Sequence, residues 1–142
     1  MKVLIDTNVV IDNLARRDEF GESLKIFRLC ESGAINGIVT TATVMDVIYI
    51  LRKHLPLADM RKAVQILIQV VDVVPVQKSD IRAALSSAFS DLEDAVQAFC
   101  ATRSKADYIV TRNLDDFKNS TVPVISPIDF LGLPHFQFEV VV

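Results

Sequence analysis

Short apolar runs rich in β-branched residues alternate with segments of helical periodicity along this chain. The runs lie at 3–5, 35–40, 71–76, 108–111 and 122–126. The first helical segment starts at Thr7. Five further helical segments lie at 19–31, 41–54, 57–70, 79–89 and 92–103. Strands separated by helices pair in parallel, because the chain crosses over the sheet between them. We therefore predict an α/β fold in which helices sandwich a central, mostly parallel sheet of five strands.

Two apolar segments carry more specific expectations. The run at 71–76 is dominated by valine, which is typical of a strand covered on both faces. The segment 136–142 is also apolar and short. It either adds an edge strand or covers a partner, and the sequence favours neither.

The length and composition fit one domain spanning residues 1–142. Apolar residues make up 51% of the chain, which is ample for a single core. Three apolar residues precede Asp6, too few for a secretion signal or for the ~20 residues of a membrane span. Cys30 and Cys100 lie in apolar helical patterns without a CxxC spacing, which indicates reduced core residues. We expect a cytoplasmic protein with no membrane segment.

The charge of the chain limits how it can bind a polyanion. A net charge of −3 and a pI near 5.3 argue against binding through bulk positive charge. Basic pairs do occur at positions 16–17, 52–53 and 61–62, but such pairs are more often solvated helix faces. A nucleic acid would therefore be held through metal ions or a local patch.

Carboxylates inside apolar segments are the strongest functional signal. Asp46 and Asp94 lie within apolar helical segments, and Asp6 ends the first strand. Burying an ionised carboxylate costs several kcal/mol unless a cation meets it. No Lys or Arg lies beside these positions in sequence, so a bound divalent metal is the economical explanation.

Topology predicts that these carboxylates meet. In an open parallel sheet, ligands bind beyond the carboxyl ends of the strands, where strand order reverses. Asp6 ends a strand at that edge, and the helices that carry Asp46 and Asp94 begin there. Three more polar residues, which are Thr111, Asn113 and Asp116, follow the fourth strand and emerge at the same edge.

Several polar residues near these acids also have a purely structural interpretation. Thr7 and Asn8 suit a helix start, and the segment 90–93 matches a capping box that would make Glu93 structural. Asn113 and Asp116 have the spacing of a cap and its partner. Four other acids are expected at the surface or at caps, namely Asp12, Asp59, Asp80 and Asp129.

A site with oxygen ligands favours Mg²⁺ or Mn²⁺ over zinc, which prefers His or Cys. His54 and His135 lie at a helix end and in a Pro-flanked tail, so neither suits a ligand or base. Hydrolysis would then depend on a water activated by the ion, with the ion stabilising charge on a phosphoryl group. Phosphodiester cleavage is the reaction class that fits best.

Four segments in this order resemble the motifs of the PIN-domain nucleases. They are LIDTN at 4–8, TATVMD at 41–46, DLEDA at 91–95 and YIVTRNLDDF at 108–117. The resemblance extends from about residue 3 to residue 131. It implies a three-layer α/β/α fold and a metal-dependent ribonuclease similar to the VapC-type toxins of toxin–antitoxin pairs. Such toxins are typically homodimers inhibited by a small antitoxin protein.

The resemblance also assigns roles to residues. It implies metal coordination and catalysis by Asp6, Asp46 and Asp94, with Asn113 or Asp116 as the fourth polar position. Thr111 would orient a ligand or water, and Asn8 would support the first carboxylate. The chain departs from the family at two places: the usual Glu is replaced by Asp46, and Asn113 stands where many relatives carry an acid.

Two other functions remain open at this point. A weakly catalytic or non-catalytic PIN-like module that binds RNA or protein would also explain the shortened Asp46 and the neutral Asn113. A phosphatase of the aspartyl-phosphate type is weaker, because Asn8 and not a second acid lies two residues beyond Asp6.

Overall fold

Five short strands form one parallel sheet in the computed structural model, which describes residues 1–17 and 20–136. They are β1 (Lys2–Ile5), β2 (Asn36–Thr40), β3 (Asp72–Val74), β4 (Tyr108–Val110) and β5 (Val124–Ile125). The spatial order is β3-β2-β1-β4-β5, and each neighbouring pair is parallel. The predicted five-stranded α/β architecture is confirmed.

The described residues form seven α-helices on the two faces of the sheet. They are α1 (Thr7–Leu14), α2 (Phe20–Glu31), α3 (Thr41–Leu51), α4 (Leu57–Val70), α5 (Lys78–Leu85), α6 (Leu92–Arg103) and α7 (Pro127–Leu131). One face carries α1, α2, α3, α4 and α7, and the other carries α5 and α6. The result is a three-layer α/β/α arrangement.

Strand β1 shows why the first apolar run has no polar alternation. Val3 and Ile5 face the core under the larger helical layer, whereas Leu4 faces the core under the smaller one. All three side chains are fully buried. A strand covered on both faces needs apolar residues at every position, and it ends where Asp6 begins the site.

The direction of the chain across the sheet reverses between β1 and β4. After β1 the chain adds β2 and then β3 on one side, and it returns to place β4 on the other side of β1. The segments that follow β1 and β4 therefore leave the sheet next to each other. This is the position at which open α/β sheets bind ligands.

The valine-rich run at 71–76 does not form a strand covered on both faces, so that prediction is wrong. Its strand β3 lies at the edge of the sheet and comprises three residues, of which Asp72 and Val73 are exposed. Pro75 has no N–H to continue the ladder, so the strand ends before it. Val71 is buried, but it lies at the end of α4 and not in the strand.

Helices α3 and α5 and strand β5 are each about three residues shorter than predicted. Helix α3 ends at Leu51, and the next turn tightens as the Lys53 and His54 amides bond to carbonyls three residues back. Helix α5 ends at Leu85 rather than at residue 89. Just beyond this end, the Ser87 hydroxyl donates to the Ala84 carbonyl of the helix. The fifth strand shrinks from 122–126 to Val124–Ile125.

The remaining expectations concern the chain ends and the cysteines. Cys30 and Cys100 are buried free thiols, as predicted. Among the described residues, Phe136 packs its ring on Phe130, whereas the rest of the segment 136–142 lies outside them. None of the described helices is both long and apolar enough to span a membrane.

Candidate functional site

A cleft of about 630 Å³ opens at the carboxyl edge of the sheet. Its walls come from the segments after β1 and β4 and from the first turns of α3 and α6, so both helical layers contribute. Six carboxylates line it, which are Asp6, Asp46, Asp91, Glu93, Asp94 and Asp116. No Lys or Arg of the described chain belongs to its lining, so the acids face one another without a basic side chain between them.

Asp6 lies at the floor of the cleft and is 3% exposed. Gln97 Nε2 donates to its Oδ1 at 3.0 Å, and the Thr111 hydroxyl donates to its Oδ2 at 2.9 Å. Burial raises the pKa of Asp6, although these hydrogen bonds and the charge of Arg112 oppose the effect. Because each oxygen of a carboxylate has two lone-pair sites, Asp6 is held in place while keeping acceptor capacity for a ligand.

A chain of hydroxyl groups ties the helices around Asp6 together. Thr7 and Thr43 share a hydrogen bond of 2.8 Å between their hydroxyl oxygens. The Thr43 hydroxyl also approaches the Gln97 side-chain oxygen at 3.5 Å, and Thr40 caps α3 by accepting from the Thr43 amide. These contacts join α1, α3 and α6. The position of Asp6 is therefore coupled to that of both helices that bring the other acids.

Asp46 lies in the second turn of α3, above the sheet edge as predicted. Thr43, Asp46 and Tyr49 are spaced by three residues and all line the cleft, so they form one face of the helix. Burial raises the pKa of Asp46. Its neighbours Val47 and Leu51 point into the core, which accounts for the apolar surroundings of this acid in the sequence.

Asp94 lies in the first turn of α6. Its amide donates to the Asp91 carboxylate at 3.0 Å, so Asp91 is the N-cap of the helix. The capping box predicted at 90–93 is therefore wrong, because the helix begins one residue later and Glu93 lies exposed in the cleft wall. Burial, followed by repulsion from Asp6, Asp91, Asp116 and Glu93, raises the pKa of Asp94 to about 7.

The segment after β4 contributes one residue beneath the cleft and two residues in its wall. Thr111 is fully buried beneath the cleft, where its hydroxyl donates to Asp6 and accepts from the Asn113 amide. Asn113 precedes the 3₁₀ turn Leu114–Phe117 without a capping hydrogen bond from its side chain, and Asp116 lies in that turn. Both residues line the cleft. Asn8 lines the cleft as well.

The carboxylates of the cleft are not gathered tightly around one point. Among residues 1–17 and 20–136, no group of three His, Cys, Asp or Glu side chains is arranged to hold a metal ion directly. The donors are nevertheless all oxygens, which suits hard cations. Mg²⁺ keeps several waters when it binds proteins, so a carboxylate that does not reach the ion directly can hold it through a bound water.

Three residues of the site were not predicted. Gln97 and Tyr49 each lie three residues beyond a predicted acid, so the helical period applied to Asp94 and Asp46 would have found them. Asp91 is both the N-cap of α6 and part of the cleft wall.

Two acids expected at the surface or at caps are buried. Asp12 is 2% exposed and pairs with Arg112, with 2.7 Å between its Oδ2 and the Arg112 Nε. Asp80 is 3% exposed; it does accept from the Gln77 amide of the α5 cap, but it also pairs with Arg103 at 2.9 Å. Their partners lie 100 and 23 residues away, respectively, a distance that no local pattern reveals.

Comparison with known proteins places these features in a family. A sequence model described as the PIN domain matches residues 2–115. No curated protein matches the chain. Solved structures with the same fold include VapBC2 from Rickettsia felis bound to a promoter DNA fragment, at 13% identity and a TM-score of 0.65, covering 89% of this chain and 98% of that one.

Two further solved structures resemble the chain. A toxin–antitoxin complex from Klebsiella pneumoniae has 19% identity and a TM-score of 0.67, with 88% of this chain and 97% of that one covered. VapC20 from Mycobacterium tuberculosis, a toxin that cleaves the sarcin–ricin loop, has 16% identity and a TM-score of 0.60, with 75% and 86% covered. At these identities the similarity establishes the fold.

Proposed function

The chain belongs to the PIN domain family, and on this premise we propose that it is a metal-dependent endoribonuclease, the toxin of a toxin–antitoxin pair. The observation that carries the proposal is the convergence of Asp6, Asp46, Asp94 and Asp116 from four chain segments on one cleft, in whose walls the described residues place no Lys or Arg. The structural similarity to toxins, one of which cleaves RNA in the sarcin–ricin loop, supports the same reading.

The cofactor we propose is Mg²⁺ or Mn²⁺. PIN nucleases generally use divalent metal ions, and the repulsion that raises the pKa of Asp94 is what a bound cation would relieve. We assign the ion to Asp6, Asp46, Asp94 and Asp116. When bound, it would supply Lewis-acid stabilisation of the phosphoryl oxygens and a more acidic water.

The protein side chains would prepare this site for the ion and the substrate. Thr111 and Gln97 hold the Asp6 carboxylate from below, so that its free lone pairs face the cleft. Asp94, with a pKa of about 7, would carry a proton on a substantial fraction of molecules at neutral pH and would lose it on binding a cation. Asn8 and Asn113 line the cleft and would orient the substrate or waters through their amides.

The assembly we propose is that of a toxin in the cytoplasm. It would be a homodimer, and a small antitoxin protein would inhibit it. Exposed apolar side chains on the helices support contacts with other proteins, among them Leu57 and Ile66 on α4, which are 63% and 50% exposed. Light scattering tests the dimer: a mass of 15.8 kDa across micromolar concentrations would make the protein a monomer.

A circular RNA provides a direct test of the proposed activity, because only an endonuclease can cut a molecule without ends. We expect linear products in Mn²⁺ or Mg²⁺ and none in EDTA. An Asp6→Asn variant should be inactive, whereas Asp59→Asn, which changes an exposed acid on α4, should cleave normally. Intact circles from a panel of structured RNAs in both metals would contradict the proposal.

A second candidate is a PIN-like module that binds RNA or protein with little or no catalysis. It is favoured by one observation, the absence of three carboxylates preassembled around a metal position in the described residues. Turnover that depends on metal and is lost on a single carboxylate change would exclude it. RNA binding that persists without any cleavage would favour it.

A further inference from the structure

We propose that Tyr49, Arg52 and Lys53 form a subsite for single-stranded RNA at the rim of the cleft. The inference rests on the proposed ribonuclease function and adds to it the position of a substrate contact outside the carboxylates. Tyr49 belongs to the cleft wall, three residues beyond Asp46 on the same face of α3. Arg52 and Lys53 follow in the turn after the helix.

The three side chains are arranged as one surface. The Arg52 guanidinium carbon lies 4.0 Å from the centre of the Tyr49 ring, and the Lys53 Nζ lies 5.6 Å from it. Arg52 Nε also donates to the Tyr49 carbonyl at 3.1 Å, which fixes the guanidinium over the ring. The Tyr49 side chain nevertheless remains 56% exposed. A flat aromatic ring and a planar cation are thus open to solvent beside the acids.

The charge of the cleft explains why such a surface is needed. Six carboxylates line the cleft and repel the phosphates of RNA, and no Lys or Arg of the described chain lies in its walls. Arg52 and Lys53 contact a wall residue, so they bring positive charge to the rim. Arg112 borders the neighbouring depression on the side of Asp116, but its guanidinium is bound to Asp12.

The chemistry of the surface selects unpaired nucleotides. A base stacks on an aromatic ring or a guanidinium plane only when it is free of its neighbours in a duplex. Continuing the Tyr49–Arg52 stack with one base would place a flanking phosphate near Lys53. An acidic protein segment would satisfy the two cations, but it would not use the open ring. Single-stranded RNA uses all three groups.

Tyrosine fluorescence gives a readout that does not require cleavage. The chain has no Trp and two Tyr, and the half-buried Tyr108 packs against Phe130. In a Tyr108→Phe variant, the emission reports Tyr49 alone. The protein is titrated in Ca²⁺ with a single-stranded 12-mer RNA and, as a control, with an abasic 12-mer of equal charge. The emission is corrected for absorbance, and RNA integrity is checked on a gel. We expect quenching by the RNA and little by the abasic strand.

Binding measurements on matched variants complete the test. Tyr49→Leu should weaken binding about tenfold, whereas Tyr49→Phe should bind like the wild type, because stacking uses the ring and not the hydroxyl. Arg52→Gln and Lys53→Gln should each lower the slope of log affinity against log salt by about 0.7. Arg28→Gln, which changes an exposed arginine on α2, is the control and should leave the slope unchanged.

The outcomes separate the subsite from the enzyme. If the wild type cleaves RNA but Tyr49→Leu binds and cleaves as well as Tyr49→Phe, the subsite is wrong and the ribonuclease proposal stands. Quenching of Tyr49 by RNA in a protein that cleaves nothing would support the subsite and remove the enzyme. A loss of dimer mass in Tyr49→Leu with unchanged RNA affinity would assign this surface to a protein contact and overturn the inference.

Discussion

Buried and half-buried aspartates of this molecule have two kinds of surroundings, which act on the carboxylate in opposite ways. Asp80 accepts from Arg103, from the Gln77 amide and from the Cys100 thiol, and these partners lower its pKa although burial alone would raise it. Asp94 is half-buried among further acids. Burial and the repulsion from these acids raise its pKa to about 7.

The two groups of acids differ in the source of the positive charge that balances them. Arg103 neutralises Asp80 and Arg112 neutralises Asp12, so both pairs are complete without a ligand. The cleft acids have no such partner among the residues that line the cleft, and their repulsion is left in the folded protein. The structural acids are balanced by the chain itself. Under the proposed function, the cleft acids are left for a cation from solution.

The largest effect we expect is on RNA cleavage. Asp6→Asn and Asp94→Asn should each lower the cleavage rate by at least about 100-fold, because each removes a charge and a ligand from the metal site. The fold should remain, since an amide has nearly the same volume as a carboxyl and relieves repulsion. Rates at matched Mn²⁺ concentration, with circular dichroism as a check on folding, provide the measurement.

The matched control for this experiment is Glu93→Gln. Glu93 is an exposed acid in the same cleft wall, next in sequence to Asp94. It should keep most of the activity, because it is absent from the proposed metal ligands. An equal loss in Glu93→Gln and Asp94→Asn would show that the wrong acid of α6 has been assigned.

Removing a balanced acid should change stability and not chemistry. Asp80→Ala should lower the free energy of unfolding by about 2–4 kcal/mol, because it leaves Arg103 without its partner and removes a bond to the α5 cap. Asp59→Ala, at an exposed position in the first turn of α4, should cost less than about 1 kcal/mol. Urea unfolding measures both, and equal costs would contradict the comparison.

Asp46 tests the chemistry of the cleft with a smaller change. Asp46→Glu restores the residue usual in the family and should shift the Mn²⁺ concentration for half-maximal cleavage by about tenfold, because the carboxylate moves by one methylene and Mg²⁺-type geometry tolerates little displacement. Asp46→Ala should be nearly inactive and still folded, since alanine suits a helix. Full activity in Asp46→Ala would leave Asp6 and Asp94 to carry the site.

The fold was predictable because its signals are local. Continuous apolar runs such as 3–5 are typical of strands with two covered faces, and helical periods between them dictate parallel pairing. The run at 71–76 shows the limit of this reasoning. Its composition matches that of a central strand, but strand order places it at an edge, and strand order depends on contacts between distant segments.

The convergence of the candidate site residues was predictable to the same extent. Topology predicts that Asp6, Asp46 and Asp94 lie at one edge, because the carboxyl end of β1 and the first turns of α3 and α6 must meet there. It did not show that Thr111 lies beneath Asp6 and not in the cleft, because the direction of a side chain after a strand ends depends on the local turn. The pairing of Asp12 with Arg112 was also invisible, since it joins residues 100 positions apart.

The smallest expected effect is a pair of opposite pH dependences. Asp94 has a higher pKa in the folded protein, about 7, than the ordinary 3.8, so the folded state binds more protons between these values. With respect to Asp94, the folded state is therefore most stable below about pH 4, where the carboxyl is protonated. This stability is lost as the pH rises through 7 and the carboxyl ionises. In EDTA, Asp94→Asn should melt with the wild type at pH 4 and a few degrees higher at pH 8.

Asp80 should show the reverse trend, because its pKa is lowered in the folded protein. Its contribution is present above the ordinary pKa of 3.8 and is lost as the pH falls further, so Asp80→Asn should be destabilised at pH 8 and approach the wild type in strong acid. Melting curves of both variants across this range, repeated with Mn²⁺, check the pair. Mn²⁺ should remove the advantage of Asp94→Asn at pH 8, because a cation bound to the wild type would supply the positive charge that its carboxylates lack. Parallel curves for the two variants would mean that Asp94 is as well balanced as Asp80, and that the cleft does not require a cation.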